Sequence, residues 1–99
     1  MTKKELEDIY QFLAAYWYDR EEDDMSIVNE FVRDVTSERL EYHVRLLKQF
    51  TNSIDSKQFT SDFIRRAAWR YFPPEIDAPI NWLKGIILLL EEASVAPNQ

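Results

Sequence analysis

A single glycine, Gly85, stands among 99 residues, and that scarcity excludes more folds than any motif in the chain suggests. An all-β domain of this size turns many times, and its tight turns draw on glycine where the backbone needs positive φ. One glycine and four prolines point instead to a few helices joined by short loops. With 45% hydrophobic and 14% aromatic residues, the chain has enough apolar material for one core, and its length suits one domain. The expected architecture is all-α, a single compact domain spanning residues 1–99 and built from about five amphipathic helices.

The helices can be placed from their apolar spacing. Leu6, Ile9, Tyr10, Leu13 and Trp17 form one stripe of a first helix that starts at Thr2 or Lys3, widened by Phe12 and Tyr16. Thr2 with Glu5 three residues on makes a capping box. Val28, Phe31, Val32 and Val35, with Ile27, mark a second helix that Asp23 or Asp24 can cap. Thr36-Ser37 supplies a turn and a new cap. A third helix then runs from about Glu38 to Thr51, with Leu40, His43, Val44, Leu47 and Phe50 inward and Ile54 continuing the stripe. A fourth is expected to turn Phe59, Phe63, Ile64, Ala67 and Tyr71 inward and Lys57, Arg65, Arg66 and Arg70 outward, until Pro73-Pro74 stops it. The last begins near Asp77-Ala78-Pro79. Ile80, Leu83, Ile87 and Leu90 on one stripe, and Trp82, Ile86 and Leu89 on another, mark it as the central helix. Gly85 falls mid-helix, where it costs roughly 0.5–1 kcal/mol against alanine, so a neighbouring backbone is expected to pack close to it.

Charge is concentrated at one joint. Asp19-Arg20-Glu21-Glu22-Asp23-Asp24 holds five carboxylates and one arginine, a net −4 in a chain whose total is −6. It follows directly on Tyr16-Trp17-Tyr18. Tyr16 and Trp17 continue apolar stripes and belong to the core. Tyr18 lies off the main stripe and is the aromatic expected to be exposed. Asp19 to Asp24 are expected to face solvent, and like charges so dense repel one another until a basic partner relieves them. A pI near 4.7 argues against nucleic acid or an anionic membrane as the partner. The longest apolar run, Ile86 to Leu90, is far short of the roughly 20 residues that span a bilayer. No secretory signal is read at the start, where Lys3-Lys4 leads straight into Glu5, Glu7 and Asp8. The absence of cysteine excludes disulfides, thiolate zinc sites and cysteine nucleophiles, and fits a cytoplasmic protein.

Catalytic and cofactor chemistry finds little support. His43, the only histidine, has no second histidine and no nucleophile motif beside it, and reads as a core histidine. No glycine-rich phosphate or dinucleotide loop is present. Counting from Asp19, carboxylates fall at positions one, three, five and twelve (Asp19, Glu21, Asp23, Glu30), as a calcium-binding EF-hand loop requires. Position six, however, is Asp24 where that loop needs glycine, and position eight is Ser26. Arg65, Arg66 and Arg70 near Trp69 form a basic patch too small for a nucleic-acid surface in so acidic a chain. Neither catalysis nor a metal or cofactor is expected. The residues lead to a binding module for a positively charged protein.

Two segments carry a resemblance. Phe12-Leu13-Ala14-Ala15-Tyr16-Trp17-Tyr18-Asp19, then the acidic residues, then Ile27-Val28-Asn29-Glu30-Phe31-Val32, resembles the small immunity proteins of bacterial contact-dependent growth inhibition systems. Near the C-terminus, Tyr71-Phe72-Pro73-Pro74-Glu75-Ile76-Asp77 and Asn81-Trp82-Leu83 are similar to that family's Tyr-x-Pro, Asp-Gly and Trp-Leu segment, with Ala78 where the family has glycine. The resemblance implies a cytoplasmic protein that binds the C-terminal domain of a cognate toxin, often a basic nuclease, and blocks it stoichiometrically without turnover. The partner contacts expected are Tyr18, Asp19, Glu21, Glu22, Asp23 and Asp24. An acidic helical adaptor or regulator of another bacterial protein is the alternative. Nothing in the residues specifies the oligomeric state.

Overall fold

The computed structural model describes residues 1–52 and 56–95, and these fold as five helices with no strand among the described residues: α1 (Lys3–Trp17), α2 (Asp24–Asp34), α3 (Ser37–Thr51), α4 (Lys57–Ala68) and α5 (Asp77–Val95). The expected all-α class holds. Ile54 lies outside the described residues.

Three helix starts form as their side chains dictate. The Thr2 hydroxyl accepts from the Glu5 amide at 3.1 Å, while the Glu5 carboxylate accepts from the Thr2 amide at 2.9 Å, closing the capping box on α1. Asp23 caps α2 by accepting from the Ser26 amide at 2.8 Å. Thr36 caps α3 through the Arg39 amide at 3.2 Å. Each satisfies an amide that the helix itself leaves without a partner.

Helices α1 and α5 each pack against α2, α3 and α4, so the two terminal helices hold the middle three together. Buried Ile9, Phe12, Leu13 and Trp17 come from α1, and buried Ile80, Leu83, Ile86, Ile87 and Leu90 from α5. Phe12 sits at the centre of an aromatic group, with ring centroids 4.7 Å from Phe31, 5.3 Å from Trp17 and 5.4 Å from His43. His43 is buried there, and its Nδ1–H donates to the Arg39 carbonyl at 2.8 Å. Burial pushes its pKa below the usual histidine value, because the packed rings solvate an imidazolium poorly. The ring is thus held neutral as a packing element. An ion pair between Lys48 and Glu91 joins α3 to α5.

Tyr10, placed on the apolar stripe of α1, is 39% exposed, its ring edge to face with Phe63 at 5.5 Å. Three further expectations fail, each for a local reason. The buried stripe of α4 is Thr60, Ser61, Phe63, Ile64, Ala67 and Ala68, and Phe59, displaced to its edge, is 48% exposed. Tyr71 was expected inward as the helical continuation of Ala67, but α4 ends at Ala68 and Trp69 takes the left-handed conformation (φ 47°, ψ 55°). The turn swaps the two faces, so that Phe72 is buried and Tyr71 is exposed. Gly85 is the third case: a Cβ built on it meets nothing within 4 Å. It lies on the outer side of α5 with Lys84 and Leu88, and no backbone approaches it. Alanine there removes the entropic cost of a helical glycine without a clash. Gly85→Ala is therefore expected to raise the unfolding free energy by about 0.5–1 kcal/mol, read from the midpoint of urea denaturation at unchanged slope.

Candidate protein-interaction surface

The end of α1, the start of α2 and the end of α4 meet at one corner, and the Asp24 carboxylate joins them. Asp24 Oδ1 accepts from the Trp17 indole N–H at 3.0 Å, and Oδ2 accepts from the Trp82 indole N–H at 2.9 Å. Arg70 adds a third donor, its Nη1 lying 2.9 Å from Oδ1. The two indoles also meet edge to face at 5.4 Å, and the Arg70 guanidinium stacks 5.2 Å from the Trp82 ring. One half-buried carboxylate thus ties together α1, α2, α5 and the segment after α4. The indoles need such an acceptor because a donor shielded from water without one is costly.

Around this anchor the acidic joint divides. Asp24 was expected to face solvent; instead its side chain is only 29% exposed and holds three donors, so it is a structural group. Asp23 is exposed but engaged as the α2 cap, and the Ser26 amide holds its carboxylate below the usual range. Arg20 turns back on the acids, with Nε 2.6 Å from Glu22 and Nη2 3.0 Å from Glu30. That pairing holds Glu30 below the usual range and Arg20 above its own. Asp19 and Glu21 are left exposed, with no ion pair among the described residues. Of the four carboxylates counted for an EF-hand, Asp23 caps α2 and Glu30 pairs with Arg20, while Asp19 and Glu21 stay exposed. Among the described residues no group of three or more acidic or histidine side chains is arranged to hold a metal ion.

Tyr18 stands exposed, as expected, but not alone. Its ring stacks on Trp69 at 5.7 Å with the planes 20° apart, and the two side chains are 52% and 58% exposed. Tyr71, 84% exposed, joins Trp69, Arg65 and Arg70 around a shallow depression beside the stack. Trp69 and Tyr71 were missed as site residues because the turn that exposes them is invisible to helical spacing. The proline pair at 73–74 disfavours helix at Phe72, but no spacing or turn signal places the break at Ala68 and Trp69. The basic patch is also less free than it looks. Arg65 Nη2 donates to the carbonyls of Pro73 (2.7 Å) and Glu75 (3.0 Å), and Arg70 is held by Asp24. These contacts fix the 69–76 segment.

No protein family, curated protein or solved structure matches the chain. Among the described residues no helix is long and apolar enough to cross a membrane.

This division of the acids has a thermodynamic consequence. Asp24→Ala strands two indole N–H groups and a guanidinium and is expected to cost about 2–3 kcal/mol of stability. Glu21→Ala, at an exposed and unpaired position, is expected to stay within about 0.5 kcal/mol. Chemical denaturation of the two variants side by side checks the contrast, and equal effects would contradict it.

Proposed function

We propose that the chain is a stoichiometric protein-binding inhibitor, an immunity protein that occupies the basic C-terminal domain of a cognate growth-inhibition toxin in the cytoplasm. The observation that carries the reading is the exposed Tyr18–Trp69 stack, with the exposed, unpaired acids Asp19 and Glu21 following Tyr18 in the chain. Tyrosine and tryptophan are the residue types that most often anchor protein interfaces. Unpaired acids that follow in the chain speed the approach of a basic surface and orient it. The net charge of −6 favours the same class of partner. The resemblance of the Phe12–Val32 and Tyr71–Leu83 segments to immunity proteins narrows that class to toxins. Inhibition by occlusion needs no reacting group on the inhibitor, and no turnover is proposed.

The contact set narrows with this reading. Of the six residues expected to meet the partner, Tyr18, Asp19 and Glu21 are free to do so. Glu22 and Asp23 offer charge while holding Arg20 and the α2 cap, and Asp24 acts by keeping the corner in place. A helical adaptor would use the same surface; it differs in protecting cells against no toxin.

The test is to co-express the chain with the C-terminal domain of any large toxin that its neighbouring gene encodes, and then to measure affinity. The chain is expected to restore growth and to co-purify with the toxin domain. Asp19→Lys with Glu21→Lys is expected to weaken the complex by about 10-fold or more at low salt and by less at high salt. A complex that forms with unchanged affinity and unchanged salt dependence would rule out the acidic contact. Growth arrest despite full expression would leave the adaptor reading.

A further inference from the structure

The exposed stack is built with more constraint than a loose surface contact needs. The two non-glycine residues with positive φ among those described are Asp19 (φ 54°) and Trp69 (φ 47°), and both belong to this corner. Aspartate tolerates that conformation through local hydrogen bonding, whereas for tryptophan it is strained. Such strain persists only where the surrounding structure imposes it. The source of the constraint is visible in the chain: Trp17 and Arg70, both bonded to Asp24, are the immediate neighbours of Tyr18 and Trp69. The Asp24 anchor therefore holds both stacked rings from behind, and the platform is set before any ligand arrives.

Charge and the placement of the arginines decide what the platform suits. Among the described residues the guanidinium–ring contacts fall on Tyr42, Phe72 and Trp82, and none on Tyr18 or Trp69. Arg70, next in the chain to Trp69, points its guanidinium at Asp24 instead. A nucleic-acid base also stacks on aromatic rings, but such platforms lie in basic grooves. Here Asp24 meets the charge of Arg70, and the carbonyls of Pro73 and Glu75 hold the guanidinium of Arg65. Asp19 and Glu21, which follow Tyr18 in the chain, are exposed and without an ion pair among the described residues. We infer that this corner binds an arginine side chain of the partner, its planar guanidinium lying on the Tyr18–Trp69 stack and its charge met by Asp19 and Glu21. Arginine fits better than lysine because a delocalised, weakly hydrated plane stacks on an aromatic face, whereas a compact ammonium keeps its water. The inference rests on the reading that the partner is a basic protein, and adds which side chain it presents and where.

The test uses a capped tri-arginine peptide as probe, with tri-lysine and a short oligothymidylate as comparisons, followed by the Trp69 indole and Tyr18 ring resonances. Tri-arginine is expected to move both sets of resonances saturably, with weaker binding by tri-lysine and none by the oligothymidylate. Trp69→Gly removes the ring at a backbone conformation glycine adopts freely, so this variant is expected to stay folded, with an unchanged or higher melting temperature. It should bind tri-arginine about 3-fold or more weakly, and Asp19→Asn with Glu21→Gln should weaken binding similarly. Peptide shifts that spread over the acidic residues and spare Trp69, full binding by folded Trp69→Gly, or a preference for the oligothymidylate would each overturn the arginine site. Because the probe is a peptide, those outcomes leave the growth-protection assay to judge the immunity reading separately.

Discussion

The Asp24 carboxylate accepts from the indoles of Trp17 and Trp82 and from the guanidinium of Arg70, and the corner of the fold follows from that contact. Trp17 ends α1, Asp24 begins α2, Trp82 lies in the second turn of α5, and Arg70 follows the break after α4. Hydrophobic burial alone would bring these segments together without choosing their rotation, because apolar attraction has no direction. Two indole N–H groups and one guanidinium do choose it, since each requires an acceptor in one place. The position of the exposed rings is a consequence. Tyr18 and Trp69 flank two of the three anchored donors in the chain, and their stacking transmits the interior geometry to the surface.

That arrangement gives the acids of the joint different work. Asp24 holds the corner, Asp23 starts a helix, and Glu22 with Glu30 holds Arg20. Asp19 and Glu21 remain for a partner. A run of like charges in sequence is thus partly neutralised in space, which removes much of the repulsion that the run alone implies. The proposed immunity function depends on the free pair and the rings, and the structural acids keep both in register.

Much of the fold was legible before the structure. The capping box of Thr2 and Glu5, the caps at Asp23 and Thr36 and the apolar stripes of α1 to α3 and α5 are local patterns, and local patterns survive tertiary packing when nothing opposes them. The misreadings share a cause, because each extended a local rule past the point where tertiary context took over. Tyr71 was assigned inward by continuing a helix that Trp69 breaks in the left-handed region. Phe59 sits one position off the buried stripe of α4. Gly85 suggested close packing, yet its surroundings are open. The site was half legible. Tyr18 was placed correctly from its offset to the α1 stripe, but its partner Trp69 lies 51 residues away in the chain and no spacing rule connects them. Asp24 looked like one acid of five, because its role depends on Trp82 and Arg70, both distant in sequence.

The central claim, that one carboxylate anchors two tryptophans while the third stands free, is tested most directly by hydrogen exchange of the three indole protons. The account predicts slow exchange for Trp17 and Trp82 and fast exchange for Trp69. In Asp24→Asn, folded by circular dichroism, the amide offers one oxygen where the carboxylate offered two, so protection of the Trp17 and Trp82 pair should fall while Trp69 stays fast. Unchanged protection of both indoles in that variant, or a Trp69 proton as slow as the other two in the parent chain, would contradict the account.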